Sequence, residues 1–183
     1  VSTRIQAEFD AVQQTIKAGE LLHQFITRVA NETGCKIKVG SVLDNHSRIN
    51  KNFKDHIEKE SFGKLVEYIT RLLNTHPNVK FIGNSIDDNI GFTQFGGRET
   101  AWVHGHLDTP KDVIDELQNL IGINLDRVYI AHRHHVMLLD DVVQVGSLKG
   151  TDEYAFNKRL LEGPSQTIEV FNEYTSTITN VYF

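Results

Sequence analysis

The apolar residues of this chain alternate between two periods, and that alternation constrains the fold more than any other feature. Ile5, Phe9, Val12 and Ile16 recur at gaps of four, three and four, and Leu22, Phe25, Ile26 and Val29 continue the stripe. Such spacing lines one face of an α-helix, so the first ~30 residues are expected to be helical. Gly19 lies within that helix, where it costs up to ~1 kcal/mol and marks a candidate bend. Residues 31–34 read as its stop. A second stripe, Phe62, Leu65, Val66, Ile69, Leu72 and Leu73, predicts a helix over 60–74. A third, Val113, Ile114, Leu117 and Leu120, follows Thr109 as N-cap and Pro110 as first helical residue, and Gly122 closes it. Short apolar runs at 36–43, 79–82, 90–95, 100–103 and 127–131 predict strands. Residues 136–139 and 141–145 read as a hairpin across Asp140, and 167–171 with 175–183 as a final hairpin.

The order is α, β, α, several β, α, then mostly β. That order predicts an α/β domain of packed layers with mixed sheets. A length of 183 residues suits one domain, 1–183, with a core of its own. The single cysteine, Cys35, excludes a disulfide-stapled secreted scaffold. No apolar run approaches the ~18 residues that span a bilayer, and no signal peptide opens the chain. A cytoplasmic setting without a membrane partner is therefore expected, and the sequons at Asn31 and Asn45 are chance matches. The 19 basic and 24 acidic residues give a net charge of −5, which argues against a mainly electrostatic grip on a nucleic-acid backbone. A metal that brings its own positive charge is still compatible with that balance.

Nine histidines occur, and five of them (His104, His106, His132, His134, His135) fall between positions 104 and 135. Imidazole is the commonest neutral ligand of transition metals. His104 with His106, and His132 with His134, have the i, i+2 spacing that points both side chains one way in an extended segment. Three imidazoles within four positions, right after an apolar strand, have no evident packing role. His23, His56 and His76 stand alone and read as structural or solvated residues, and His106 and His135 are the weaker members of their pairs.

Three short motifs stand in order, each after an expected strand: Asp44-Asn45-His46-Ser47-Arg48, Trp102-Val103-His104-Gly105-His106 and Ala131-His132-Arg133-His134. Together they resemble the C-terminal two-thirds of the calcineurin-like metallophosphoesterase family. That family carries a G-N-H-[DE] motif, a single histidine often followed by glycine, and a G-H-x-H motif. The stretch from Gly146 to Tyr154 also looks like the loop that follows the last motif in bacterial and phage members. The resemblance covers about residues 36–160. It implies a layered αββα sandwich and hydrolysis of a phosphate ester, nucleic-acid phosphodiesters among the candidate substrates, at a pair of divalent ions (Mn, Zn or Fe). By position, Asn45, His104 and His132 would ligate one metal and His134 the other. His46 would be the general acid that protonates the leaving oxygen, and Arg48 would hold a phosphate oxygen with its planar fork.

Departures from the family pattern limit what this chain supplies. Asp44 stands where glycine is usual, Ser47 where a carboxylate is common, and Ala131 where the last motif has glycine. Neither a D-x-H nor a G-D-x-x-D motif precedes Asp44, although the family uses both for most ligands of one metal. By this count one metal keeps three ligands and the other keeps one, so the chain alone is expected to hold at most one ion, weakly. It then reads as the C-terminal part of a longer phosphoesterase domain, inactive or nearly so alone. Its open sheet edge would pair with the missing N-terminal segment or another chain. Two other readings compete. One is a degenerate phosphoesterase-fold domain that binds without catalysis. The other is a metallo-β-lactamase-type hydrolase, suggested by His104-Gly105-His106-Leu107-Asp108, although Thr109 stands where that motif needs histidine.

Overall fold

The computed structural model describes residues 9–50, 52, 57, 59–151, 153–157, 159, 162–172 and 174–183; Ile5, His56 and Asp152 lie outside them. The chain divides into two compact units, residues 1–89 and 90–183. No helix among the described residues is long and apolar enough to cross a membrane.

The first unit begins with α1, Ala11–Thr33. Asp10 caps it by accepting from the Gln13 backbone N–H, and Gly34 ends it in the left-handed region at φ 67°. After α1 comes β1, Ile37–Val39, shorter than the sequence suggests. Then follow α2, Phe62–Leu73, capped by Ser61, and β2, Val79–Phe81. Strands β1 and β2 pair in parallel, with Ile37 opposite Val79 and Val39 opposite Phe81. The face of α1 that packs keeps only part of the expected stripe, Ile26. Thr15, Gly19, Ile26 and Ala30 are buried, while Val12, Ile16, Leu22 and Phe25 stay exposed. The reason is close approach: a Cβ on Gly19 would lie 2.7 Å from Cγ2 of Ile69. Gly19 is therefore a contact point between two helices and not a bend. On α2, Leu65, Leu72 and Leu73 are correspondingly exposed, and Thr70 is buried with its hydroxyl donating to the Val66 carbonyl.

The second unit is built on a mixed five-stranded sheet. Its strands are β3 (Ile90–Phe95), β4 (Arg98–Val103), β5 (Arg127–Ile130), β6 (Met137–Leu138) and β7 (Val142–Gln144). The order across the sheet is β3-β4-β5-β7-β6; β4, β5 and β7 run parallel, and the two edge strands are antiparallel. Between β4 and β5 the chain forms α3, Val113–Ile121. Regular helix starts later than the Thr109-Pro110 signal suggests. The Thr109 hydroxyl donates to the Asp112 carboxylate, and the backbone N–H groups of Asp112 and Val113 both close on the Thr109 carbonyl. That turn delays the helix by three residues, and Asp112 becomes the flanking residue. Gly122 closes the helix at φ 76° as expected. Val113 and Leu117 of α3 pack on Ala101, Val103, Val128, Ile130 and Val142 of the sheet, while Leu120 points to solvent. Each such fully buried aliphatic side chain contributes about 1.5–3 kcal/mol.

Residues alternate along a strand, so Arg127 and Tyr129 emerge on the sheet face opposite to Val128 and Ile130. There they meet the last hairpin, β8 (Ser165–Phe171) paired with β9 (Ser176–Tyr182). A short helix, α4 (Glu153–Asn157), ends the stretch read as a loop from the sequence. Glu169 of β8 turns inward, its side chain 2% exposed, and binds Arg127 at 3.0 Å and Arg98 at 3.4 Å. Its other oxygen accepts from the Tyr129 hydroxyl, and the Ser176 hydroxyl donates to the oxygen that the arginines bind. Burial alone would raise this carboxyl. Hydrogen bonds from Ser176 and Tyr129 and the charge of Arg127 outweigh it and hold Glu169 below the ordinary carboxylate range. Burial and Glu169 together push the Tyr129 phenol well above its ordinary value. Arg98 also stacks on Phe171, 4.4 Å from the ring centre.

Candidate functional site

In the second unit, strands β4 and β5 are adjacent and in register, Val103 opposite Ile130. The residues that follow them therefore leave the sheet side by side. The Ala131 backbone N–H still donates to the His104 carbonyl at 3.2 Å, one step beyond the ladder. Both strands run parallel, so these are their C-terminal ends, where open α/β sheets build ligand sites.

Past that point the backbone is forced into unusual shapes. The Arg133 N–H donates to the Ala131 carbonyl at 2.8 Å, a three-residue turn centred on His132, whose φ is 67°. His134 follows at φ 62°. Left-handed geometry at a residue with a Cβ costs about 1–3 kcal/mol and collects at functional positions. On the neighbouring strand end Gly105 sits at φ 95°. A Cβ there would lie 2.4 Å from Cγ1 of Ile130, so only glycine lets the chain turn against the sheet.

These turns bring imidazoles together. Nδ1 of His132 lies 3.2 Å from Nε2 of His104, with ring centres 5.0 Å apart. His106 joins them, its ring centre 5.5 Å from that of His104 and 6.2 Å from that of His132. All three are half-buried, and His134 is exposed two residues further on. Asp108 is nearby; burial pushes its carboxyl up, and the charge of His106 pulls the other way.

Two nitrogens bound to one tetrahedral zinc at ~2.0–2.1 Å lie about 3.3 Å apart. The His104–His132 spacing fits that bite, so the pair can serve two positions on one ion. Among the described residues, no group of three or more His, Cys, Asp or Glu side chains is arranged to hold a metal as it stands. The pair by itself offers two nitrogens and not a finished shell.

In the first unit the Asp44–Arg48 segment follows β1. Asp44, in place of the family's glycine, is not in the left-handed region. Its carboxylate instead accepts from the backbone N–H groups of both His46 and Ser47, each at 2.7 Å, and fixes the turn. The Ser47 hydroxyl meets that of Ser61 at 2.5 Å, which ties the loop to the α2 cap. Arg48 donates to the Asn45 backbone carbonyl, so its guanidinium braces the loop. The His46 side chain is exposed and that of Asn45 half-buried.

The structure gathers His106, by sequence the weaker member of its pair, beside His104 and His132, and it builds a Glu169 cluster that the sequence does not single out. For His106 the signal was the glycine before it, which permits the turn that gathers the rings. For Glu169 no local signal exists, because its partners Arg98 and Arg127 come from other strands.

No protein-family model and no curated protein matches the chain. Solved structures do. A single mutant of Vps29 from Entamoeba histolytica is 16% identical over 80% of this chain and 97% of its own, with a TM-score of 0.40. Wild-type Vps29 from the same organism, complexed with Zn²⁺, is 14% identical over 87% of this chain and 88% of its own, with a TM-score of 0.42. The Thermotoga maritima protein TM1076 is 11% identical over 80% of this chain and 98% of its own, at 0.41. Vps29 and TM1076 have calcineurin-like metallophosphoesterase folds. Scores and identities this low carry no argument about function, which has to come from the residues.

Proposed function

We propose that this chain belongs to a metal-dependent phosphate-ester hydrolase, to which it contributes part of the metal site. The supporting observation is the 3.2 Å approach of His104 and His132, delivered from two strand-end motifs through strained turns. His104 and His132 would hold one divalent ion, and His134 would serve a second ion. A bound ion would polarise a phosphoryl oxygen and make water acidic enough to attack at neutral pH. The chain's own groups have separate tasks. The imidazoles are neutral donors, which leaves the ion's positive charge for the phosphate. His46, exposed on a loop fixed by Asp44, is suited to give a proton to the departing oxygen. Arg48 carries N–H donors on a planar fork, a geometry that suits a phosphate oxygen.

The test is metal uptake and hydrolysis by the full chain. Apo protein dialysed against Mn²⁺ or Zn²⁺ should retain about one ion, and His104→Ala or His132→Ala should abolish retention. Bis-p-nitrophenyl phosphate hydrolysis that needs the ion and is lost with His104→Ala supports the hydrolase. Retention of the ion with no turnover of any phosphate ester would overturn catalysis and leave a binding domain.

A further inference from the structure

We propose that Gln144 is a positioning residue that holds the His132–His135 turn over the end of β7, and with it the imidazole of His132 beside that of His104. The role this gives the turn rests on the metal reading above, and Gln144 lies outside the three motifs that carry that reading. β7 lies between β5 and β6 in the sheet, so residues 131–136, which join β5 to β6, have to cross one end of β7. Ile130 and Met137 both stand opposite Gln144, so the crossing passes over that residue. Gln144 is fully buried, and its Nε2 donates to the His135 backbone carbonyl at 2.8 Å. A carbonyl in a loop has no ladder partner, and leaving one unpaired away from water is costly. The Gln144 amide supplies that partner one residue after the left-handed His134 and three after the left-handed His132.

The other half of the amide separates this role from plain packing. Its Oε1 is buried and accepts from no group among the described residues. Burying an acceptor without a donor opposes folding, and an apolar side chain of the same length avoids that cost. Methionine would therefore fill the space better than glutamine, whereas holding the His135 carbonyl needs the N–H. Replacing the amide tells the two roles apart.

Gln144→Met keeps the length of the side chain and removes both amide groups. Backbone hydrogen exchange, Zn²⁺ affinity and the melting midpoint are measured on the full chain, wild type beside variant. The Arg133 N–H closes the turn on the Ala131 carbonyl, and in Gln144→Met it should exchange about 5–10-fold faster, the effect of losing one hydrogen bond. Exchange at Val128 of β5 should not change, Zn²⁺ should be held more weakly by a similar factor, and the midpoint should hold or rise. Unchanged exchange at Arg133 overturns the proposal. A lower midpoint with faster exchange at Val128 as well also overturns it, and makes Gln144 a packing residue. Should Gln144→Met fail to fold, the wild-type chain decides: a scalar coupling across the hydrogen bond, from Gln144 Nε2 to the His135 carbonyl carbon, should be present, and its absence overturns the proposal. If wild type binds no Zn²⁺, the metal reading falls, and the exchange comparison still decides whether Gln144 holds the turn.

Discussion

Nδ1 of His132 and Nε2 of His104 lie 3.2 Å apart although 28 positions separate them in the chain. The register of β4 on β5 sets this approach, since Val103 opposite Ile130 makes the next residues neighbours. Two elements hold it: the left-handed turn at His132 and the glycine after His104, which alone fits against Ile130.

Gly105→Ala therefore tests the frame of the site. The new Cβ would meet the Ile130 side chain at 2.4 Å in a backbone region that alanine avoids. Unfolding free energy should fall by about 1–3 kcal/mol, and metal retention should weaken with it. Urea denaturation with and without Zn²⁺ measures both. An alanine variant as stable as wild type would mean the turn is not needed.

Gly19→Ala separates two accounts of a helical glycine. Helix propensity alone predicts a gain of up to about 1 kcal/mol. Contact with Ile69 at 2.7–2.8 Å predicts a loss of about 1–3 kcal/mol instead. The same denaturation experiment decides by the sign of the change.

Glu169→Gln probes the charge cluster under the last hairpin. Removing one member of a buried, hydrogen-bonded set costs about 3–5 kcal/mol near neutral pH. Its folded-state pKa lies below the unfolded value, so the stabilisation is present above the unfolded pKa of about 4.3 and is lost as pH falls through the lower folded one. The gap between wild type and Glu169→Gln should thus be widest near pH 7 and close at strongly acid pH. A gap that stays constant from pH 7 into that acid range would show that the carboxylate charge contributes nothing.

His46→Ala separates the acid from the metal ligands. In a chain that turns over a phosphate ester, kcat should fall about 10²–10⁴-fold while metal retention holds. The fall should shrink for esters with good leaving groups, which need no proton. Equal loss of metal and turnover would move His46 into the metal shell.

Much of the fold was legible because local rules carried it. Gly34 and Gly122 end helices in the left-handed region, and the two late hairpins form where the period-2 runs and turns place them. Helix faces were less legible. The buried side of α1 is chosen by small residues, Gly19 and Ala30, that allow close packing, and a hydrophobic count ranks those last. Glu169 was not legible, because its partners are brought together only by the stacking of hairpin on sheet. At the site, the strand ends and the closeness of His104 to His132 could be anticipated. The left-handed turns and the position of His106 depend on packing against Ile130, which no motif encodes.

If His104 and His132 share one ion, the chain needs both to retain it. The most direct measurement is elemental metal content of the chelator-stripped, Zn²⁺-redialysed full chain beside the His104→Ala, His132→Ala double variant. The account predicts about one zinc per wild-type chain and none in a folded double variant. Equal zinc in both would contradict it.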